Sequence, residues 1–290
     1  MKPIAYAEED LARLIPRPNA NDNKYSRGIV HVVGGSETFP GAAAMAARAA
    51  QRCGTGYTQV WCAPGSVHDV RAGRPSLVVR PWDPPALAEA LRRDAARNAA
   101  VLVGPGTDGG DEITRKLLEV VLESDLPVVA DAGALGALAP LATHGAAPRL
   151  EARLASKIPL VLTPHAGEAR TLCAGIGANP GSAIDVAETL AGAYRAIVML
   201  KGPDTLIVGC EKRYLMQEGT PALAKAGTGD VLAGIVAALL AQHVDAFDAA
   251  CLGALLHARA GKHAAAKLTD VSVIPEDVIA HIPDALKPMS

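Results

Sequence analysis

Aromatic residues are scarce in this 290-residue sequence, at 3%, although half of all residues are hydrophobic. A core that is built from small aliphatic side chains is typical of α/β proteins with buried parallel strands. The length is enough for one large domain or two small ones. Because the sequence has no repeat, low-complexity block or obvious linker, we expect a single domain over residues 1–290.

An excess of charge is also missing, because the formal net charge is only -2. No global electrostatic field would therefore recruit nucleic acid or an acidic membrane. No apolar run is long enough to span a bilayer. The N-terminal segment MKPIAYAEEDLARLIPRP has acidic residues where a signal peptide needs an apolar stretch. We expect a soluble, cytoplasmic protein that binds neither nucleic acid nor membrane.

The cysteines form no recognisable framework. Their number is odd and no C-x-x-C pair occurs, so neither a disulfide scaffold nor a zinc site is indicated. Most of them have apolar or small neighbours, which predicts buried, reduced thiols. His257 and His263 lie on a helical pattern without a matching set of carboxylates, which favours packing or surface roles. The cysteines are Cys53, Cys62, Cys173, Cys210 and Cys251.

Three familiar catalytic signatures are absent. The sequence lacks the G-x-x-x-x-G-K-[ST] motif of P-loop NTPases, and Gly34-Gly35-Ser36 is too short for the G-x-G-x-x-G dinucleotide fingerprint. It also has no G-x-S-x-G elbow, which argues against an α/β-hydrolase.

Strand-like and helical segments alternate along the chain, which predicts βαβ units and a mostly parallel sheet. RAIVMLKGPDTLIVG and KRYLMQEG are expected to be adjoining strands, with a hairpin near the sheet edge. LRRDAARNAA has the mixed charge of a solvated helix face. Ligands bind beyond the carboxyl ends of the strands in such sheets. The candidate turns at these ends are GGSETFPGA, GPGTDGG, DAGAL, TPHAGE, KGPDT and AGTGD.

The AGTGD turn leads into an apolar helix and carries the most informative carboxylate, Asp230. Glycines and the free amides of a first helical turn suit a phosphate group. A carboxylate there fits a base that accepts a proton from a substrate hydroxyl beside the phosphate. The alternative is a helix cap, worth roughly 1 kcal/mol. Taken alone, Lys201 fits a surface hairpin lysine and His165 a turn histidine.

Read in order, six segments resemble the ADP-dependent NAD(P)H-hydrate dehydratases of the ribokinase-like superfamily. The resemblance runs from about Lys24 to the last helix and implies an α/β fold, a three-layer α/β/α sandwich with a mostly parallel central sheet. GTGD is shared across the superfamily, whereas the combination with LTPHxGE and KGxxT is more specific. The segments are GIVHVVGGSETFPGA, VLVGPGTD, VVADAGAL, LTPHAGEA, VMLKGPDTLIV and AKAGTGDVLAGI.

The resemblance implies a repair reaction on the S-epimer of NAD(P)H-hydrate, whose reduced nicotinamide ring carries a hydroxyl at C6. ADP would phosphorylate this hydroxyl, and loss of phosphate would restore NAD(P)H and leave AMP. Asp230 would be the base, and Mg²⁺ would bridge the nucleotide phosphates through ligands that the sequence does not identify. The resemblance also implies a homotetramer. Because the chain begins shortly before the first motif, we expect a dehydratase that depends on a separate epimerase.

Motif matching also implies binding residues. The hydrate would contact Gly41, Ala42, Gly106, His165 and Asp230. The nucleotide would contact Lys201, Gly202, Pro203, Asp204, Thr205 and Gly229. The anion hole would consist of the amides of Ala226, Gly227, Thr228 and Gly229. Glu168 fits either a holder of metal-bound water or a helix N-terminal acid.

Two departures from the family pattern and two alternatives accompany this interpretation. Lys24 is followed by Tyr25 rather than glycine, and the loop EGTPALAKAG lacks the usual residues for adenosine contacts.

A vitamin-precursor kinase of the same superfamily would use ATP and keep a stable phosphorylated product. A non-catalytic nucleotide-binding sensor would bind nucleotide independently of Asp230.

Overall fold

The computed structural model describes residues 8–144 and 147–287. Strands and helices alternate through most of this part of the chain. The strands are β1 (Ile29–Val33), β2 (Tyr57–Cys62), β3 (Val78–Pro81), β4 (Ala99–Val103), β5 (Val128–Ala130), β6 (Leu160–Leu162), β7 (Ile197–Leu200), β8 (Thr205–Val208) and β9 (Arg213–Met216). The helices are α1 (Glu8–Arg13), α2 (Pro40–Arg52), α3 (Val67–Gly73), α4 (Pro84–Asp94), α5 (Glu112–Leu122), α6 (Gly133–His144), α7 (Ala147–Ala155), α8 (Ala166–Gly175), α9 (Ala183–Tyr194), α10 (Thr228–Ala241), α11 (Ala246–Leu268) and α12 (Pro275–Leu286).

The strands form one sheet in the order β3-β2-β1-β4-β5-β6-β7-β8-β9. Strands β1 to β7 pair in parallel, whereas β8 is antiparallel to both β7 and β9. The predicted mostly parallel sheet with an edge hairpin is therefore confirmed. Since all parallel strands end at one edge, their connecting turns meet there and can form a single site.

Helices cover both faces of the sheet, because the buried strands are apolar on both sides. In β1, Val30 and Val32 join a core that is shared with α2, α10, α11 and α12. Ile29 and Val33 join a second core, shared with α4, α5, α6, α8 and α9. This alternation follows from the two-residue period of a strand. The result is the expected three-layer α/β/α sandwich.

Helices α2 and α10 approach each other closely because glycine and alanine line their contact. A Cβ atom on Gly234 would lie 2.2 Å from the carbonyl oxygen of Ala46, and one on Gly227 would lie 2.8 Å from the Met45 Cε atom. The small-residue run GAAAMAARAA therefore packs within the subunit. This crossing places Gly227, the N-cap residue of α10, against Met45 in the second turn of α2.

The prediction of a solvated face for LRRDAARNAA is wrong at Asp94. Helix α4 ends at this residue, whose side chain is buried. His31 Nε2 lies 3.1 Å from the carboxylate, and Arg93 and Arg97 also pair with it. Burial raises the pKa of Asp94, but the bonds from His31 and Arg93 outweigh it, so the pKa is well below its usual range. These partners allow the carboxylate to be buried in its charged form.

The predictions for the cysteines and the two histidines hold with one exception. All five thiols are free, four of them are buried, and Cys210 is exposed. Both histidines lie on α11, where the side chain of His257 is buried and that of His263 faces solvent. Within residues 8–144 and 147–287, no helix has the length and apolarity that a bilayer crossing would need.

Candidate active site

The turns after β1 and β4 are hydrogen-bonded together at the carboxyl edge of the sheet. The amides of Gly35 and Ser36 donate to the carbonyl oxygens of Pro105 and Gly106, both at 2.8 Å. Gly106 has a φ of +68°, and a Cβ there would lie 2.9 Å from the Cβ of Ala42. The predicted hydrate positions Ala42 and Gly106 are therefore neighbours. Gly41 is exposed, with open space where a side chain would be.

Helix α10 begins beside Met45 of α2, with a glycine in the left-handed region. Gly227 is the N-cap residue at φ +94°, and a Cβ there would clash with Met45 and Pro275. The hydroxyl of Thr228 lies 2.7 Å from the carbonyl oxygen of Leu223, which holds the preceding loop in place. Only glycine combines this backbone geometry with such close packing.

Most of the predicted anion hole is free to bind a ligand. Among the described residues, the amides of Ala226, Gly227 and Gly229 have no acceptor. The amide of Thr228 differs from the prediction because it donates to the carbonyl oxygen of Lys225 at 3.3 Å. Free amides at a helix start carry partial positive charge and bind anions.

Asp230 lies in the first turn of α10, but it does not cap the helix. The N-cap residue is Gly227, and no described group donates a hydrogen bond to the Asp230 carboxylate. Burial raises its pKa to about 7, the charges of Asp131 and Glu168 add to this effect, and Lys201 opposes it. A carboxylate with a pKa near neutral pH can accept a proton during turnover.

The Lys201 ammonium lies at the centre of the site rather than at the surface, so the hairpin-lysine alternative is wrong. Its Nζ is 2.8 Å from Asp131 Oδ1 and 3.9 Å from Glu168 Oε2. It is also 3.3 Å from the position that a Cβ on Gly229 would occupy. Burial lowers the pKa of Lys201, but the surrounding carboxylates raise it by more, so the ammonium stays charged.

Asp131 is a site residue that we did not single out from the sequence. It follows β5 directly, is buried, and accepts hydrogen bonds from Lys201 and, at 2.7 Å, from the Thr163 hydroxyl. The available signal was its place in the DAGAL turn at a strand end. Sequence alone did not reveal its partner, because Lys201 lies 70 positions away.

His165 is the N-cap residue of α8. Its Nδ1 accepts the amides of Gly167 at 2.9 Å and Glu168 at 3.3 Å. The Glu168 carboxylate accepts the amide of His165 in return at 2.8 Å, so Glu168 acts as a helix N-terminal acid. With Nδ1 an acceptor, a neutral His165 has its proton on Nε2. Through Nδ1, His165 caps the helix, as the turn-histidine alternative expects. Its Nε2–H group is a hydrogen-bond donor on an exposed side chain.

The other predicted nucleotide residues form the turn between β7 and β8. Gly202, Pro203 and Asp204 are exposed, whereas Thr205 is buried at the start of β8. A Cβ on Gly219 would lie 2.4 Å from the Pro203 carbonyl oxygen, so the loop after β9 packs against this turn. The turn forms one wall of the site, next to Lys201.

A buried histidine, His257, lies behind the anion hole. Its pKa is lowered to about 4, chiefly by burial and in part by the positive charge of Lys201, while a hydrogen bond with the backbone of Thr228 opposes the shift. Its Nε2 atom is buried and has no hydrogen-bond partner among the described residues. The ring is therefore neutral at physiological pH, and it packs under α10 without adding charge.

The carboxylates around Lys201 fit a nucleotide-borne Mg²⁺ better than a protein-only metal site. In the described part of the chain, no group of three or more histidine, cysteine or acidic side chains is arranged to hold a metal ion. Mg²⁺ is commonly held by one or two carboxylates together with substrate phosphates. Glu168 is the side chain that would hold an ion arriving with the nucleotide, directly or through a bound water.

Comparison with known proteins matches this chain to one family. The chain is 32% identical over 285 residues to the ADP-dependent (S)-NAD(P)H-hydrate dehydratase of Xanthomonas campestris, covering 94% of this chain and 93% of that protein. It is 36% identical over 282 residues to the bifunctional NAD(P)H-hydrate repair enzyme Nnr of Salinibacter ruber, covering 92% of this chain and 50% of that one. The chain thus spans about half the length of the bifunctional relative.

Solved structures show the same fold. A ribokinase-like superfamily protein from Enterococcus faecalis has a TM-score of 0.80 at 22% identity, covering 98% of this chain and 95% of that one. The ADP/ATP-dependent NAD(P)H-hydrate dehydratase of Bacillus subtilis, co-crystallised with ATP and Mg²⁺, has a TM-score of 0.79 at 22% identity and covers 98% of both chains. Residues 30–284 match the family described as NAD(P)H-hydrate dehydratase. The chain therefore belongs to the NAD(P)H-hydrate dehydratase family and has a ribokinase-like fold.

Proposed function

We propose that this protein dehydrates the S-epimer of NAD(P)H-hydrate to NAD(P)H, using ADP and releasing AMP and phosphate. The observation that carries the proposal is the Asp230 carboxylate, which has a pKa of about 7 and no described hydrogen-bond donor at the start of α10. Free amides and the Lys201 ammonium lie beside it. Family membership and the Xanthomonas relative support the choice of substrate and nucleotide.

Hydroxide is a poor leaving group, and the proposed chemistry converts it into phosphate. Asp230 takes the proton as the C6 oxygen attacks the β-phosphorus of ADP, and the bond to the bridging oxygen breaks to release AMP. The lone pair of the ring nitrogen then expels phosphate, which carries away the former hydroxyl oxygen. The resulting iminium ion loses its C5 proton to the released phosphate or to water, which restores the C5=C6 double bond of NAD(P)H. A positioned base contributes a factor of roughly 10² to 10⁴ to such a reaction.

The anion hole and Lys201 stabilise the charge on the phosphoryl group during transfer. The amides of Ala226, Gly227 and Gly229 point from the helix start toward the transferred group, and their effect is large because they are fixed before reaction. Lys201 supplies a positive charge that Asp131 holds in place at 2.8 Å. Mg²⁺, when bound with the nucleotide, would neutralise phosphate charge.

The nicotinamide ring is proposed to bind over the first turn of α2 and the turn after β4. Ala42 and Gly106 pack against each other, are half-buried and carry no long side chain, so a flat ring could lie across them and approach the backbone. Phe39, which precedes α2 and is 61% exposed, offers an aromatic face beside them. The Nε2–H group of His165 is a donor for the carboxamide oxygen.

We extend the proposal to the organisation and the location of the protein. The single sheet supports one domain over the chain. Free thiols favour a reducing compartment such as the cytoplasm.

The exposed apolar side chains of Leu268, Val271 and Ile274 support self-association, as the implied homotetramer requires. A separate epimerase would supply the reactive epimer. Light scattering after size exclusion tests the tetramer.

The reaction is tested with NADH-hydrate and Mg²⁺ in the presence of ADP, ATP or no nucleotide. We expect dihydronicotinamide absorbance to recover with ADP, with one AMP and one phosphate released per NADH. Recovery of the absorbance with ATP but not with ADP would contradict the assignment of ADP as the nucleotide. Phosphorylation of a hydroxyethylthiazole or hydroxymethylpyrimidine by ATP, without hydrate turnover, would replace the proposal with a vitamin-precursor kinase. A hydroxyethylthiazole kinase from Pyrococcus horikoshii shares the fold at a TM-score of 0.61 and 18% identity, covering 96% of this chain and 91% of that one.

A further inference from the structure

A cavity of about 500 Å³ lies between α8, α9 and the segment that joins them. Its walls include the apolar side chains of Ala169, Val186 and Leu200, and its polar groups include Arg170 and Asn179. This volume and this mixture of apolar walls with a few polar groups are typical of small-molecule sites. The cavity is large enough for a nucleoside, and the catalytic groups described above do not line it.

The cavity lies beside His165, on the face of the sheet that α8 and α9 cover, whereas α2 and α10 cover the other face. Its lining begins at Ala166, directly after His165. Leu200 belongs to the core on the α8–α9 face, whereas Met199 belongs to the core on the α10 face. Lys201 reaches Gly229 on that α10 face, where the phosphates of ADP are proposed to bind. The amides that are proposed to bind phosphate and the cavity therefore lie on opposite faces of β7, and His165 lies at the edge between them.

Arg170 is the cation of this cavity. It is exposed, and no carboxylate in the described part of the chain pairs with it, in contrast to Arg195, which pairs with Glu151. The first turns of the two neighbouring helices are already capped by their own side chains, α8 by His165 and α9 by Ser182. An anion that enters the cavity therefore meets the guanidinium group rather than a free helix end.

The hydrate is a dinucleotide, and its adenosine half needs a binding site beyond the nicotinamide. From these observations we infer that the cavity between α8 and α9 binds this adenosine half and that Arg170 binds the ribose 2′-phosphate of NADPH-hydrate. A guanidinium group holds a phosphate through two parallel hydrogen bonds, and arginine commonly accommodates the 2′-phosphate in dinucleotide sites. The protein therefore prefers NADPH-hydrate over NADH-hydrate. The inference rests on the proposed function.

The test compares Arg170→Gln with the wild type on both hydrates. Charged hydrogen bonds of this kind are worth about tenfold to a hundredfold in affinity. We expect kcat/KM for NADPH-hydrate to fall by such a factor, while kcat/KM for NADH-hydrate and the KM for ADP stay within about twofold. Arg92→Gln, an exposed arginine in the last turn of α4, is the matched control and should change neither.

Ala174→Phe, at an exposed position of the cavity wall, tests the cavity itself. It should raise the KM for both hydrates and leave the KM for ADP unchanged. An equal loss on both hydrates in Arg170→Gln, no loss on either, or a raised KM for ADP in Ala174→Phe would overturn the inference.

A binding experiment separates this inference from the proposed reaction, because it needs no turnover. Calorimetry with adenosine 2′-monophosphate should show binding to the wild type and at least tenfold weaker binding to Arg170→Gln. Adenosine 5′-monophosphate should bind both proteins alike. Absence of binding by the 2′-phosphate, or equal binding by both proteins, would overturn the inference whether or not the protein dehydrates the hydrate.

Discussion

At the scale of single residues, Asp230 combines chemical readiness with a cost in stability. Its folded-state pKa of about 7 stands above the ordinary value of 3.8, chiefly because the carboxylate is buried. Ionised Asp230 is therefore less favourable in the folded protein than in the unfolded chain. This penalty is absent below pH 3.8 and grows until the pH has passed about 7. Active sites commonly contain such strain.

Replacing this carboxylate should stabilise the fold in a pH-dependent way. Asp230→Asn is expected to raise the free energy of unfolding by about 2 to 3 kcal/mol more at pH 8 than at pH 5, because only the wild type ionises in the folded state. Urea unfolding at the two pH values measures this difference. Asp204→Asn, at an exposed aspartate in the β7–β8 turn, is the control. Equal gains at both pH values would contradict the assigned electrostatics.

The contact between Asp131 and Lys201 should govern how well the site holds phosphate. Asp131→Ala leaves the buried ammonium with Glu168 at 3.9 Å as its nearest carboxylate, so its position is less fixed. We expect the KM for ADP to rise about tenfold or more, on the scale of a charged hydrogen bond. Thr163→Val removes a hydrogen bond from an uncharged donor to the same carboxylate and leaves the Asp131–Lys201 ion pair in place, so it should have a smaller effect. Equal ADP kinetics in wild type and Asp131→Ala would show that the ion pair does not position Lys201.

Residues inside a short motif could be predicted from the sequence, and residues that depend on distant partners could not. GTGD and KGPDT placed Asp230 and Lys201 at strand and helix ends, where the structure has them. Asp131 was missed because its meaning depends on Lys201, 70 positions away. Asp94 was placed at the surface for a similar reason, since His31 lies 63 positions earlier.

At the scale of elements, the crossing of α2 and α10 connects the packing of the core to the geometry of the site. The contact has almost no spare space, since a Cβ on Gly234 would lie 2.2 Å from a carbonyl oxygen of α2. Interiors packed this tightly transmit the effect of one added methyl group. The distance between the ring surface at Ala42 and the base at Asp230 is set by this crossing.

Adding a methyl group at the crossing should therefore harm both stability and activity. Gly234→Ala is expected to destabilise the protein by about 1 to 3 kcal/mol through overpacking and to lower kcat/KM by separating α2 from α10. Gly192→Ala, at an exposed position in α9 with open space around it, should instead stabilise by about 1 kcal/mol through helix propensity. Similar effects of the two substitutions would contradict the packing account.

The sequence predicted which segments are helices and strands better than it predicted what each helix face packs against. The alanine-rich segment PGAAAMAARAAQR has the composition of a helix, and α2 spans those 13 residues. The edge hairpin also followed from two strand-like runs around KGPDT. Periodicity did not decide whether the α2 surface packs inside the subunit or against another subunit, because alanine fits both environments.

At the scale of the whole molecule, one sheet separates two cores that share every buried strand. Residues of β1 alternate between the two cores, so neither core can lose its order without exposing the same strands. This arrangement supports one cooperative unit despite the length of the chain. A single domain remains a prediction, and this coupling between the two cores supports it more directly than composition does.

Thermal unfolding should consequently show a single transition with equal calorimetric and van't Hoff enthalpies. Gly234→Ala on one face and Gly192→Ala on the other should shift that same transition in opposite directions. ADP with Mg²⁺ should raise its midpoint by mass action. Two separable transitions, each responding to only one substitution, would show that the chain forms two units.

The central claim, a kinase-like site that uses Asp230 to activate the hydrate hydroxyl, is tested most directly by one comparison. Recovery of dihydronicotinamide absorbance from NADH-hydrate, ADP and Mg²⁺ is measured across pH 5 to 9 for the wild type and Asp230→Asn. The account predicts that wild-type kcat/KM rises with pH and levels off above about 7, since the base must be ionised. It predicts a loss of about 10² to 10⁴ in the variant. Activity in Asp230→Asn equal to the wild type, with the same pH profile, would contradict the account.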